Sequence, residues 1–254
     1  MKEIINMKRF LWPLLAIMVI ANLFLSACSS SSSNKVFTVA TDATWPPFEY
    51  VDEQNNIVGF DIDLMNAIAE EAGIEIKYEN VGFDALLAGM AQGTYDMAIS
   101  SITIKPERAE NMLFSDPYYL AGQMIVVQKS NTTITDKTSL NGKKLGAQLG
   151  TTGESEAQSI AGATVKSYNQ IGLAIQDLLN GQIDAVICDT PIAEGYVNKN
   201  INSLKIVGNA LTEENYGIAL SKDNTDLLTK INKALKAVKD QGIIDQLIEK
   251  WLAS

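Results

Sequence analysis

Two distant segments of the chain carry one pattern, and that pattern sets the strongest limit on the fold. "GMAQGTYDMAISS" and "DLLNGQIDAVICD" share Gly-x-x-Asp-x-x-Ile, at Gly93, Asp96 and Ile99 and again at Gly181, Asp184 and Ile187. Each reads as a helix stopped by glycine, a turn and a buried strand. The surroundings repeat as well. From Val36, "VFTVAT" is followed by helix-like "DIDLMNAIAEEAG", strand-like "IEIKYEN", helix-like "FDALLAGMAQG" and strand-like "YDMAIS". From Lys144, "KLGAQ", "TTGESEAQSIAG", "TVKSY", "NQIGLAIQDLLNG" and "IDAVICD" give the same order. Strand, helix, strand, helix, strand implies a mainly parallel sheet flanked by helices, and its occurrence twice predicts an α/β chain of two similar lobes.

Within that frame Asp61 suits an N-cap and Gly73 a C-cap. Asp61 and Asp63 read as a cap and a surface residue, Asp96 and Asp184 as acids that fix the turns before their strands, and the methionines as core. Near the end, "YGIALSK" reads as a strand and "DLLTKINKALKAVKDQGIIDQLIEKWLA" as one or two amphipathic helices broken near Gly242. The stretches "AGQMIVVQK" and "ALTEENYGIAL" read as two crossings between the lobes. Lobe one then takes residues 36–122 and 212–254, lobe two takes 123–211, and the two crossings form a hinge.

The first 27 residues read as an export signal: a positive start, the apolar run "LWPLLAIMVIANLFL", and a small-residue cleavage site before Cys28. Pro13 and Asn22 interrupt the run and leave it short of a comfortable bilayer span. "LSAC" resembles the bacterial lipobox, whose cysteine is lipidated and becomes the new N-terminus. Residues 28–35, rich in serine, are then a flexible tether holding the protein to the outer face of a membrane, outside the cytoplasm. With Cys28 lipidated only Cys188 remains, so no intramolecular disulfide is expected. The chain has no histidine, which removes histidine-based triads and the usual zinc sites. Its formal charge of −10 argues against nucleic acid as a partner.

Open α/β sheets bind ligands beyond the carboxyl ends of their strands, where helix N-termini also point. Several polar residues fall there: Asp42 after "VFTVAT", Ser100, Ser101 and Thr103 after "DMAI", Thr151 and Thr152 after "KLGAQLG", and Asp189 after "DAVIC". In "SSITIKPER" the hydroxyls are followed one short turn later by Arg108, whose planar fork matches a carboxylate. Each residue also has a plainer reading. Arg108 could be a solvated helix arginine paired to Glu107 or Glu110, Asp189 a cap for the helix at "TPIAEG", and Asp42 a turn residue. Trp45 could be a core lid, and Phe83 the first core residue of its helix.

Taken together, "ATDATWPPFEY", "GFDIDL", "FDALLAGMAQGTYDMAISSITIKPERAENMLFSDPYY", "GTTGE", "DAVICDTP" and "YGIAL" resemble the extracellular solute-binding proteins of family 3, the amino-acid receptors of ABC importers. The resemblance covers residues 36 to 254. It implies the two-lobed, periplasmic-binding-protein-like fold of type II, a free L-amino acid as ligand, and a permease with its ATPase as partner. It implies no cofactor, no bound metal, no catalysis and a monomer. It also assigns roles. Arg108, helped by Thr103 and the backbone N–H of Thr152, takes the α-carboxylate. Asp189, with Ser101, takes the α-ammonium. Trp45 and Phe83 sandwich the side chain and Asp42 meets its far polar end.

A carboxylate between aromatic faces suits a guanidinium or ammonium. Gln148 and Cys188 stand where glutamine receptors of the family often carry lysine and histidine. Basic-residue receptors of the family often show an aliphatic group at the Gln148 position and a disulfide that this chain cannot form. An arginine- or lysine-type ligand is favoured over glutamine by a small margin. Two other classes compete: a cyclic-acid dehydratase on the same fold, for which Glu49 is the nearest candidate acid, and an amino-acid sensor or surface antigen.

Overall fold

The computed structural model describes residues 35 to 253. The export signal, Cys28 and the tether up to residue 34 lie outside them. In the first half, β1 (Val36–Thr41), β2 (Thr44–Trp45), β3 (Glu49–Val51) and β4 (Ile57–Val58) lead into helix α1 (Phe60–Ala72). There follow β5 (Glu75–Asn80), α2 (Phe83–Ala91), β6 (Met97–Ala98), α3 (Pro106–Ala109), β7 (Met112–Phe114) and β8 (Tyr119–Ala121). The middle of the chain forms β9 (Gln123–Gln128), β10 (Lys144–Gln148), α4 (Thr152–Ser159), β11 (Thr164–Tyr168), α5 (Ile171–Leu179), β12 (Ala185–Asp189), α6 (Thr190–Lys199) and β13 (Leu204–Val207). It ends with β14 (Glu214–Tyr216), β15 (Ala219–Ser221), α7 (Thr225–Asp240) and α8 (Ile243–Trp251).

Two five-stranded sheets result, ordered β5-β1-β6-β15-β7 and β11-β10-β12-β9-β13. The sequence repeat builds the same half of each. β1 lies parallel between β5 and β6, and β10 lies parallel between β11 and β12. In each sheet one further strand runs against its neighbours: β15 is antiparallel to both β6 and β7, and β9 to both β12 and β13.

The repeated residues act alike. Gly93 and Gly181 end their helices at φ 71° and 68°, a left-handed backbone that glycine adopts without a Cβ penalty. Asp96 accepts from the Thr38 N–H of β1 at 2.9 Å, and Asp184 from the Lys144 N–H of β10 at 2.8 Å. Each carboxylate thus ties the start of its own strand to the central strand beside it.

Helix α1 shows how the core is assembled. Phe60, Leu64, Met65 and Ile68 fall on one face at helical spacing and are fully buried against Leu227, Ile231, Leu235 and Val238 of α7. Burial of each large side chain contributes about 1.5 to 3 kcal/mol.

The helix does not begin as its sequence suggests. Gly59, at φ 137°, is the N-cap residue, and a Cβ there would lie 2.1 Å from the Phe48 carbonyl oxygen. Asp61 sits inside the first turn with no solvent exposure and caps nothing. Asp63 does face outward, joined to Lys250 at 2.7 Å and to the Trp251 indole N–H at 2.8 Å. Gly73 closes the helix at φ 59°, and Gly242, at φ 71°, separates α7 from α8.

The chain passes between the sheets through β8 and β14, which pair antiparallel from Tyr119↔Tyr216 to Ala121↔Glu214. The connection is shorter than "AGQMIVVQK" suggests, since Gln123–Gln128 is β9, inside the second sheet. At Gly122 a Cβ would lie 2.2 Å from the Thr212 carbonyl oxygen, so the two passages run in direct backbone contact.

Candidate functional site

The carboxyl ends of the parallel strands converge on one narrow cavity. The loop after β1 supplies Asp42, β2 supplies Trp45, and the start of α2 supplies Phe83. Ser100, Ser101 and Thr103 follow β6, and Arg108 reaches in from α3. From the second sheet come Gln148 at the end of β10, Thr151 and Thr152 at the start of α4, and Asp189 at the end of β12. Every residue singled out from the sequence as a ligand contact therefore lines the same space.

Arg108 is not paired to Glu107 or Glu110. Its guanidinium donates from Nη1 to the Thr103 carbonyl at 2.9 Å and from Nη2 to the Gly150 carbonyl at 3.0 Å, and lies 5.4 Å from the centre of the Phe83 ring. Burial draws its pKa below the usual value, while Asp189 and Glu214 oppose that shift.

Asp189 occupies the N-cap position of α6, yet its side chain accepts no capping hydrogen bond. It accepts instead from Gln123 Nε2 at 2.7 Å and from the Tyr216 hydroxyl. Burial, followed by the neighbouring Glu214 charge, raises its pKa to about 6, against the pull of Tyr216, Gln123 and Arg108.

Asp42 accepts from Thr44 Oγ1 at 2.8 Å and from Gln148 Nε2 at 2.6 Å. Burial raises its pKa, while these two bonds and the Phe83 backbone N–H restrain the rise.

The hydroxyls are placed by local structure. Thr151 caps α4, accepting from the Glu154 N–H at 3.2 Å, so the positive end of that helix opens on the cavity. Ser101 has φ 48°, unusual for a residue with a Cβ, and its Oγ is buried without a hydrogen bond among the described residues. Gln148 Oε1 and Trp45 Nε1 are likewise buried and unpartnered there. Three polar groups of the lining are thus uncommitted.

Several residues around the site escaped the sequence reading. Glu214, on the connecting strand β14, accepts at Oε2 from Thr103 Oγ1 and from Thr152 Oγ1, each at 2.7 Å, and so joins the two sheets' hydroxyls. Gln123, fully buried at the start of β9, holds both Thr152 and Asp189. For Gln123 the signal was a polar residue heading an apolar strand-like run, whereas Glu214, between Glu213 and Asn215, carried none. Cys188 is buried in the core and its pKa is pushed well up by burial. It is not part of the cavity lining, since alternate residues of β12 face opposite sides.

The lining holds one cation, Arg108, and two carboxylates, Asp42 and Asp189. Among the described residues no cluster of carboxylates or thiols is spaced to hold a metal ion, and no helix is long and apolar enough to cross a membrane.

Two α/β sheets joined by paired strands, with a charged cavity at their strand ends, define a two-lobed solute-binding protein. The chain belongs to the bacterial extracellular solute-binding proteins, family 3, whose family model matches residues 37–254. That membership implies work outside the cytoplasm. The arginine-binding extracellular protein ArtP of Bacillus subtilis (strain 168) is 35% identical over 94% of this chain and 97% of its own length. An ancestral arginine-binding protein solved with arginine bound is 43% identical, with a TM-score of 0.82 over 85% of this chain and 97% of that one. The ancestral amino-acid-binding protein AncCDT-1, a precursor of cyclohexadienyl dehydratase, is 35% identical, with a TM-score of 0.79 over 85% of this chain and 95% of that one. These relatives are amino-acid-binding proteins, although the fold is shared with a line that led to an enzyme.

Proposed function

We propose that the protein captures a basic L-amino acid, arginine first, between its lobes and delivers it to the permease and ATPase of an ABC importer. The observation that carries this reading is the charge count of the cavity. Arginine brings one carboxylate and two cationic groups, and the lining answers with Arg108, Asp189 and Asp42. A buried charge left unpaired costs several kcal/mol, so a ligand that fits all three is preferred.

In this reading Arg108, Thr103 and the Thr152 N–H hold the α-carboxylate, and Asp189 and Ser101 hold the α-ammonium. Trp45 and Phe83 flank the side chain, and Asp42 with Gln148 takes its far end. Residues 36–122 and 212–254 form one lobe and 123–211 the other, so closure about β8 and β14 brings the two charge partners together. Cys28 is the lipid anchor that keeps the receptor beside its permease.

Glutamine is the second ligand, because Asp42 also serves as an acceptor for a carboxamide. A dehydratase is disfavoured because Glu49 does not line the cavity. The test is a thermal-shift screen of the twenty amino acids with ornithine and citrulline, since a ligand raises the melting temperature by mass action. Arginine and lysine should shift it most. No shift with any of them would end the proposal.

A further inference from the structure

Behind Ser100 and Ser101 lie two carboxyls that take no part in the binding scheme above. Glu49, on β3, and Asp61, in the first turn of α1, both have no solvent exposure. Each has one oxygen in use. Glu49 Oε1 accepts from Ser100 Oγ at 2.9 Å. Asp61 Oδ2 accepts from the Ser101 N–H at 2.7 Å and from the Tyr118 hydroxyl at 2.9 Å. Each also has one oxygen without a partner, since Glu49 Oε2 and Asp61 Oδ1 are buried and accept from no N–H or hydroxyl among the described residues.

The two carboxyls are close neighbours, each acting on the other's titration. The groups that face them are all neutral or acidic. They are Asp42 on the loop after β1, Tyr118 before β8, Tyr78 on β5 and the two serines, and no lysine or arginine among the described residues forms an ion pair with either acid. Two bare anions cannot be held together in such a place, whereas one proton between Oε2 and Oδ1 satisfies both unpartnered oxygens and removes one charge.

We propose that Glu49 and Asp61 share a single proton and are positioning residues of the ligand site, setting Ser100 through one carboxyl and Ser101 through the other. The uncommon backbone of Ser101 needs such support, and its N–H is gripped by Asp61. Ser100 Oγ in turn accepts from the Asp42 N–H at 3.0 Å, so the pair also steadies the residue assigned to the ligand's far end. Burial lifts Asp61 to about 7, and burial with the Asp61 charge lifts Glu49 well above its usual range. Both shifts favour a retained proton on the pair. Its loss at alkaline pH sets two negative charges against each other beneath the serines.

The ligand arm of the test rests on the binding function proposed above, while the spectroscopic arm does not. Infrared spectra of the protein at about pH 8 should show the C=O stretch of a protonated carboxyl, absent from Glu49→Gln. Carbon-13 labelling of glutamate should shift the same band without any substitution, so a variant that fails to fold does not remove the test. Calorimetric titration with L-arginine should show the affinity of the parent falling about tenfold relative to Glu49→Gln between about pH 7.5 and 10, because the amide keeps a neutral donor toward Asp61. The ratio cancels the titration of the ligand's own ammonium. Absence of the infrared band, or an affinity ratio constant with pH, overturns the proposal. If arginine does not bind at all, the function reading fails while the infrared comparison still decides the pair.

Discussion

Gln148 donates from Nε2 to Asp42 Oδ2 at 2.6 Å, joining the end of β10 to the loop after β1 across the cavity. In the binding mode proposed above, the amide and a cationic ligand tail address one carboxylate, and a charge-assisted bond is about twice as strong as a neutral one. Asp42→Asn should cost L-arginine roughly 2 to 5 kcal/mol of binding, the scale for a buried charge that loses its partner, and L-glutamine only about 1 kcal/mol. Isothermal calorimetry with both ligands gives the comparison. Equal losses would mean that Asp42 does not read the charge of the tail.

Arg108 is assigned the one group that all α-amino acids share. Arg108→Ala should weaken every amino-acid ligand by about 2 to 5 kcal/mol, without changing their order. Arg108→Lys should restore little, because a point charge cannot reproduce the planar fork. An alanine variant that binds like the parent would remove Arg108 from the site.

Asp189 must be ionised to accept an ammonium, and in the free protein its pKa is about 6. Ligand binding should therefore expel a proton in weakly acidic buffer. Affinity should rise as pH climbs toward about 6 and level off above it, until groups that titrate at alkaline pH intervene. Calorimetry in buffers of differing ionisation enthalpy counts that proton directly. Affinity unchanged between about pH 4.5 and 7 would contradict the assignment.

Stability without ligand should fall as pH rises from about 5 to 7. Asp42, Glu49, Asp61 and Asp189 all bind their protons more tightly folded than unfolded, so raising the pH draws the equilibrium toward the unfolded chain. The acids with lowered values, Asp52, Asp96, Asp136 and Asp177, act in the opposite sense, but only below the usual carboxylate range. Urea melts across the window should show a declining midpoint. A rising one would mean that the buried acids are compensated by groups not identified above.

The two-lobed α/β plan was legible because its grammar is local: glycine stops, strand periodicity and helical apolar faces each span a few residues. Most lining residues were legible from strand ends that can be counted along the sequence, whereas Trp45, Phe83 and Gln148 were named only through the family resemblance. Asp61 was not. "GFDIDL" offers a capping acid next to a helix, and only the burial of Gly59 against Phe48, fixed by packing, turns the carboxyl inward. Glu214 and Gln123 were missed for a related reason. The partners that give them meaning, Thr103, Thr152 and Asp189, come from remote parts of the chain and meet only when both sheets are formed.

The direct backbone contact at Gly122 and Thr212 bears on how such a molecule can move. Two short strands laddered together, with no side chain wedged between them at that point, can flex about a shared line but resist sliding past each other. The closure proposed above should then reduce to one angle, which a single pair of spectroscopic labels spanning the mouth would follow.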